Sequence, residues 1–244
     1  MKLFFNFVLY KTPEKEVLRL KREVQALGFS DYKIHFFDNS HNGKGFAYGA
    51  NKGICAALKE KADLIVLANP DISFYAGKDN PRVVPTYNDF IETSKHFDIF
   101  SFAMKQGGQL YYGGEVDRWR MSGGVISKKP KERFAECDFV SALMAIQREV
   151  IEKVGFLKED YFLYYEDVEY CYRAKKLGFK VGIDSQHLYE HFESSKGSKL
   201  KNHYLFWNRV KFMREYGTLS QKSRELLRLP KTFFEIFTNN TRGV

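Results

Sequence analysis

The sequence contains little cysteine and no long hydrophobic run. Its three cysteines, Cys55, Cys137 and Cys171, are widely spaced and form no C-x-x-C pair, which fits neither a disulfide framework nor a zinc site. No run of about 18 apolar residues is present, so no segment is predicted to cross a bilayer. The apolar N-terminal stretch is short and lacks a small-residue cleavage site. We therefore expect a cytoplasmic protein.

The sequence does contain enough apolar residues for one substantial core. It has 244 residues, of which 44% are hydrophobic and 16% aromatic. A chain of this length and composition folds into a globular structure rather than remaining disordered. We expect one α/β domain followed by a C-terminal tail.

The positive charge is concentrated near the C-terminus. The formal net charge is +9, and residues 192–244 hold eleven lysines and arginines against four acids, a balance of +7. The same segment contains aromatic side chains: Phe206, Trp207, Phe212, Phe233, Phe234 and Phe237. This mixture suits an anionic membrane surface, nucleic acid, a solvated basic helix or a second subunit in a homodimer. No nucleic-acid-binding module is recognisable, and we expect no nucleic acid partner.

The first third of the chain alternates between strand and helix patterns. Residues 3–10 are β-prone, and Thr12 is a candidate cap for a helix that starts at Pro13 and ends at Gly28. A strand, a glycine-opened helix and a buried strand follow, in the segments KIHFFDNS, GFAYGANKGICAALKEK and DLIVLANPD. This βαβαβ order predicts a parallel sheet with ligands at the carboxyl ends of its strands. Those ends are Tyr10, Asp38–Asn39 and Asn69–Asp71.

The pattern is weaker over residues 74–136, where DIFSFAMK predicts a strand and glycine pairs at 107, 113 and 123 indicate loops or hairpins. Alternation then resumes with a strand, two helices and a strand, in the segments CDFVSALMAIQ, REVIEKVG, EDVEYCYRAKKLG and FKVGIDS.

Several polar residues at predicted element ends are candidates for chemistry. Asn69 and Asp71 place two oxygen-bearing side chains around Pro70, which suits a divalent cation but also a capped turn. Glu166 and Asp167 follow the aromatic run YFLYY. They are either first-turn acids of a helix or a partly desolvated pair in which one carboxylate acts as a general base.

His187 and His191 are four residues apart but follow a strand, so a shared zinc on one helical face is not expected. His191 remains a candidate single ligand or phosphate donor.

Taken together, these segments resemble glycosyltransferase family 2, most closely its rhamnosyltransferase-like branch. The resemblance depends on four ordered motifs: FFDNS, NGKGFAYGANKGI, LIVLANPD and the block from CDFVSALMAIQ to GFKV, with His191 following. They cover roughly residues 3–75 and 137–200. Four motifs in order are far more specific than any one of them.

The resemblance implies a GT-A fold, a Rossmann-like, mixed but mainly parallel sheet flanked by helices. Residues 1–200 would form the glycosyltransferase domain, with nucleotide binding at about 1–103 and acceptor binding and catalysis at about 104–200. A basic helical extension would cover residues 201–244. The partners would be a nucleotide-diphosphate sugar and a glycan or lipid-linked acceptor in cell-surface polysaccharide synthesis. We expect the protein at the inner face of the cell membrane, held there peripherally by 201–244.

The resemblance also assigns roles to single residues. Asp167 would deprotonate the acceptor hydroxyl, and Glu166 would orient the acceptor or the base. Asn69, Asp71 and His191 would hold Mg²⁺ or Mn²⁺ on the diphosphate. The nucleotide contacts would be Tyr10, Asp38, Asn39, Asn42, Asn51 and Asn69.

The sequence departs from the family at three places. Leu9-Tyr10-Lys11 replaces Thr-Tyr-Asn, Leu157-Lys158-Glu159 replaces Asp-Glu, and Ala142 replaces a glycine. Two other readings stay open. A nucleotidyltransferase of related fold would share the metal site, but its glycine-rich N-terminal loop with a following lysine is missing. A non-catalytic protein that binds a nucleotide sugar or glycan would keep the fold alone.

Overall fold

The fold begins with the three parallel strands that the sequence predicts. The computed structural model describes residues 1–74, 84–192 and 199–238. The first five elements are β1 (Leu3–Leu9), α1 (Glu14–Ala26), β2 (Tyr32–Asp38), α2 (Phe46–Lys59) and β3 (Leu64–Ala68). β1 lies between β2 and β3 and is parallel to both. This arrangement confirms the βαβαβ prediction.

The rest of the chain extends this sheet and covers it. The further elements are β4 (Ile72–Ser73), α3 (Tyr87–His96), β5 (Ile99–Gln106), β6 (Gln109–Tyr111), β7 (Gly114–Asp117), β8 (Ser122–Val125), β9 (Phe134–Glu136), β10 (Leu143–Gln147), α4 (Arg148–Val154), α5 (Glu166–Lys176), β11 (Val181–His191), α6 (Lys199–Tyr216) and α7 (Leu219–Thr238). The order along the main sheet is β2-β1-β3-β10-β5-β11-β4. β10 is antiparallel to both of its neighbours, and β11 is parallel to β5. The sheet is therefore mixed and mainly parallel, as expected.

Two local predictions need correction. The strand expected from residue 137 begins only at Leu143, because Ala142 adopts a left-handed conformation with φ of 61°. The glycine pair at 123, by contrast, lies in β8, which forms an antiparallel hairpin with β7 and so confirms the expected hairpin. The first helix has Pro13 at its N-cap, and Thr12 instead accepts a hydrogen bond from the Tyr10 backbone N–H.

Two hydrophobic layers enclose the sheet. One lies against α1 and α3 and is rich in phenylalanine. The other lies against α2, α4 and α5 and also receives Phe212 and Met213 from α6, both buried. The first C-terminal helix is thus part of the core. None of the described helices is long and apolar enough to cross a membrane.

Close contacts explain two glycines of the NGKGFAYGANKGI segment, Gly45 and Gly53. A Cβ on Gly45 would lie 1.9 Å from the Phe162 carbonyl oxygen, and one on Gly53 would lie 2.0 Å from the Asn6 side chain. Phe46 at the start of α2 donates its backbone N–H to the same Phe162 oxygen over 3.1 Å. These glycines let α2 pack against β1 and against the segment that precedes α5.

Candidate active site

A cavity of about 260 Å³ opens at the carboxyl ends of β3, β5 and β11. Four residues predicted from the sequence line it: Asn69, Glu166, Asp167 and His191. The rest of the wall is mostly apolar and includes Phe46, Met104, Tyr111, Phe139, Tyr164 and Leu205. Such a concave, apolar site with a few convergent polar groups is typical of a small-molecule site.

Backbone strain is concentrated around this cavity. Ala142, Tyr164 and Tyr165 all line it and all have positive φ, between 61° and 72°. Residues with side chains avoid this region, and they persist there only where surrounding contacts impose it. Glycine adopts this left-handed conformation without strain, which explains why the resemblance implies a glycine at the position of Ala142. Tyr165 is the N-cap of α5, so its conformation sets where Glu166 and Asp167 begin the helix.

The two carboxylates at the start of α5 are poorly solvated. Desolvation raises the pKa of Asp167 to about 6. Desolvation, followed by repulsion from Asp167, raises the pKa of Glu166 well above its usual range. Asp167 Oδ1 accepts the Val168 backbone N–H over 2.8 Å, whereas buried Glu166 Oε2 has no hydrogen-bond partner. A carboxylate with a pKa near neutrality in a cavity is suited to general-base chemistry.

The predicted metal ligands Asp71 and His191 are brought together by the edge of the sheet. β4 and β11 pair so that His191 lies opposite Ile72, and His191 Nε2 is 3.2 Å from Asp71 Oδ1. Asn69, which lines the cavity, donates its backbone N–H to the Ala142 carbonyl. Both histidines of the predicted pair lie within β11 rather than after it.

Helix α1 holds the turn that carries Asp71. Arg19 donates a hydrogen bond to the Pro70 carbonyl over 3.3 Å. The Glu23 carboxylate accepts the backbone N–H of Phe74 and the hydroxyl of Ser73. These contacts hold the turn between β3 and β4 and the short strand β4 that follows it.

The residues expected to contact the nucleotide form a neighbouring, more exposed edge. Tyr10 follows β1 and is 63% exposed, and Asp38 ends β2. Hydrogen bonds from Ser40 lower the pKa of Asp38. Asn39 donates to the Lys44 and Gly45 carbonyls and accepts from Asn42. These two asparagines therefore shape the loop before α2.

Asn51 lies apart from this edge. Its side chain is buried in α2, where it accepts the Leu157 backbone N–H and donates to the Leu157 carbonyl and to Glu159. These bonds tie α2 to the segment that replaces the family's Asp-Glu. A nucleotide contact by Asn51 stays a prediction.

Sequence reasoning missed the part that α6 plays in this site. Lys201 and Leu205 line the cavity. Asn208 is buried and donates hydrogen bonds of 2.8 Å to the Leu163 and Tyr164 carbonyls, directly before the strained N-cap of α5. No motif or periodicity in the sequence points to Asn208, because its partners are more than forty residues away.

A second group of acidic and histidine side chains lies around a bulge in β11. Among the described residues, Asp89, Asp184 and His187 form the one group of three or more His, Cys, Asp or Glu residues whose ligand atoms all lie within 4.8 Å of one another. Arg133 donates to both carboxylates over 2.8–3.0 Å. The guanidinium thus already supplies the positive charge that balances these acids.

Comparison with known proteins points to sugar transfer. No protein-family model matches the sequence. The low-salt glycan biosynthesis hexosyltransferase Agl10 of Haloferax volcanii is 29% identical over 156 residues, which cover 61% of this chain and 48% of that protein. The chain therefore spans about half the length of this curated relative.

Two solved structures have similar folds. GalNAc-T7, crystallised with UDP, GalNAc and Mn²⁺, superposes with a TM-score of 0.56 at 16% identity, covering 98% of this chain and 56% of that one. A mutant of Drosophila β1,4-galactosyltransferase 7 in complex with manganese, UDP-Gal and xylobiose gives 0.52 at 12% identity, covering 80% and 72%. This chain has the GT-A fold of glycosyltransferases.

Proposed function

We propose that the protein is an inverting glycosyltransferase of family 2, related to its rhamnosyltransferase-like branch. It would move a sugar from a nucleotide-diphosphate sugar to a hydroxyl group of a glycan or lipid-linked acceptor. The observation that carries this proposal is the desolvated Glu166–Asp167 pair, which lines one cavity with Asn69 and His191 at the carboxyl edge of the sheet. The likeness to a hexosyltransferase and to the two sugar-transferase folds supports the same activity.

Asp167 is the proposed general base. Its carboxylate would take the proton of the acceptor hydroxyl as the oxygen attacks the anomeric carbon and the nucleoside diphosphate leaves from the opposite face. One displacement with one base inverts the anomeric configuration. A pKa of about 6 leaves Asp167 ionised at neutral pH yet basic enough to hold the transferred proton. Glu166, whose pKa is raised well above its usual range by desolvation and by Asp167, would orient the acceptor or the base.

Asp71, Asn69 and His191 are the proposed ligands of Mg²⁺ or Mn²⁺. These three residues offer ligand atoms that fit such an ion. The Asp71 carboxylate oxygen and the His191 imidazole nitrogen lie 3.2 Å apart, and Asn69, two residues before Asp71 in the sequence, adds a carboxamide. When bound, the ion would neutralise charge that builds up on the leaving diphosphate. Arg19 and Glu23 would keep the turn that carries Asp71 in place.

Tyr10 and Asp38 are the proposed contacts to the base and ribose of the nucleotide. Tyr10 offers an exposed aromatic ring, and the lowered pKa of Asp38 keeps an acceptor carboxylate available. Asn39 and Asn42 would act through the loop that they hold. The first strand ends in Leu-Tyr-Lys rather than Thr-Tyr-Asn, so we expect the base and ribose contacts to differ from those that the resemblance implies at the residues on either side of Tyr10.

Calorimetric titration with nucleoside diphosphates and nucleotide sugars, in Mn²⁺, Mg²⁺ or EDTA, tests this proposal. We expect metal-dependent binding of one nucleotide to the wild type. We expect its loss in Asp71→Ala and its retention in the control Asp31→Ala, an exposed carboxylate before β2. Absence of binding for every nucleotide, with and without metal, would contradict the proposal.

A further inference from the structure

The outermost helix of the protein presents its apolar side to solvent. On α7 the outer face consists of Leu219, Leu226, Leu227, Pro230, Phe233 and Phe234, all exposed. The opposite side of the helix faces inward, because Glu225 is 5% exposed and lies 2.7 Å from buried Arg209 of α6. A surface helix of a soluble domain normally has the reverse polarity. Leu227 and Leu219, at 86% and 82% exposure, mark this face as an interaction surface.

Cations flank the outer face. Lys222, Arg224 and Lys231 lie on α7 beside this face, whereas Arg228, with its Nε buried, lies on the inward side with Glu225. Glu225 is the one acid among the helix's described side chains. Since Glu225 is paired with Arg209, the helix surface has a positive charge. A second copy of the same helix would bring these like charges together. An anionic surface would instead complement them.

Both tryptophans of the chain lie beside α7 and are exposed. Trp119, in the turn between β7 and β8, is 63% exposed and has the Arg224 guanidinium 5.4 Å from its ring centre. Trp207 of α6 is 54% exposed and follows Phe206, whose ring contacts Phe233. Tryptophan is enriched at the boundary between hydrocarbon and water, because its ring is apolar and its N–H needs a polar partner.

We propose that the outer face of α7, with Trp119 and Trp207 beside it, binds the surface of an anionic lipid bilayer. The leucines and phenylalanines would enter the boundary between headgroups and acyl chains, and the flanking cations would contact acidic headgroups. The helix would lie in the plane of the membrane. If the proposed function holds, the cavity would open close to the bilayer, because Lys201 and Leu205, which line it, lie within two helical turns of Trp207 on α6. A lipid-linked acceptor could then reach Asp167 without leaving the membrane.

The test uses the full chain with vesicles of phosphatidylcholine alone or mixed with phosphatidylglycerol, without any nucleotide. We expect co-sedimentation with the mixed vesicles only, together with a shift of tryptophan emission to shorter wavelength. The double variant Leu226→Ser/Leu227→Ser should lower the partition coefficient about tenfold or more, since each leucine contributes buried CH₂ groups. Its matched control is Leu18→Ser/Leu177→Ser, which removes two other exposed leucines outside α7.

A charge variant tests the electrostatic part. Lys222→Glu/Lys231→Glu should weaken binding to mixed vesicles several-fold, as should high salt. The control Lys15→Glu/Lys21→Glu changes two exposed lysines of α1 and should bind like the wild type.

Two results would overturn the proposal. One is equal partitioning of the leucine variant and its control. The other is a wild-type dimer in light scattering that becomes monomeric in the leucine variant, which would make the face an interface between copies. Because no nucleotide is present, failure here leaves the nucleotide titration unaffected.

Discussion

Asp167→Asn should inactivate the protein and stabilise it at the same time. The variant removes a carboxylate that is poorly solvated in the folded state and replaces it with a neutral group of nearly the same shape. Its amide oxygen can still accept the Val168 N–H that Asp167 accepts over 2.8 Å. Most substitutions destabilise a protein, so a gain in stability would identify the electrostatic cost of this site.

The magnitude follows from the shift in pKa. The pKa of Asp167 is about 6 in the folded protein, against 3.8 as its ordinary value, and each pKa unit corresponds to roughly 1.4 kcal/mol. The folded state therefore binds this proton more tightly than the unfolded state. The wild type loses up to about 3 kcal/mol of stability as the pH rises from about 4 through about 6. The neutral variant avoids this loss, so its advantage exists above pH 6 and vanishes below about pH 4.

Thermal unfolding of the wild type and Asp167→Asn across this pH range measures the effect. We expect a gain in Tm of roughly 3–10 °C at pH 7.5 and none at pH 4. The control Asp31→Asn, at an exposed position, should show no such difference. In a transfer assay, Asp167→Asn should lose about 10²–10⁴-fold in rate, as expected for removal of a general base. A variant that is no more stable than the wild type at pH 7.5, or that keeps its activity, would refute this role.

Three further predictions concern the surroundings of the site. Asp71→Ala should abolish the metal-dependent part of nucleotide binding in calorimetry while leaving Tm nearly unchanged, and equal affinity with and without Asp71 would exclude it as a ligand. Asn208→Ala should lower kcat more than it changes the KM for the nucleotide sugar. It should also lower the free energy of unfolding in urea by about 1–3 kcal/mol, because two buried carbonyls lose their hydrogen-bond donor. An unchanged kcat would show that Asn208 does not position α5. Gly45→Ala should destabilise the protein by several kcal/mol, because the new Cβ would overlap the Phe162 carbonyl. The control Gly124→Ala should cost less, since nothing lies within 4 Å of a Cβ at that position. Similar urea midpoints for the two variants would contradict the predicted overlap.

The parallel half of the fold could be predicted because its signals are local. The strand and helix periods from β1 to β3 can be read without knowing any distant contact, and a parallel connection places Asp38 and Asn69 at the same edge. The motif glycines were visible in the sequence, but their physical reason was not. The reason is close packing between distant segments: Gly45, for example, lies against Phe162 in the other half of the chain.

The remaining features depend on long-range packing. The insertion of antiparallel β10 between β3 and β5 cannot be inferred from its own residues, since an apolar strand fits either direction. The shortened strand results from the left-handed Ala142, at a position where alanine gives no turn signal. The basic segment after residue 200 was expected as an appended tail, but Phe212 and Asn208 contact the core and the segment before α5. The apolar residues of α6 lie on all sides of the helix, so the sequence shows no single apolar face that would predict this packing.

Transfer of labelled sugar gives the most direct test of the proposed activity. The full chain would be incubated with Mn²⁺ or Mg²⁺, the nucleotide sugar that binds in calorimetry, and a lipid extract that contains glycan-linked lipids. Incorporation of label into the lipid fraction by the wild type, with an inverted anomeric configuration by NMR and only background incorporation by Asp167→Asn, is the predicted result. Equal incorporation by both proteins would contradict the role of Asp167, and retention of configuration would contradict the single displacement.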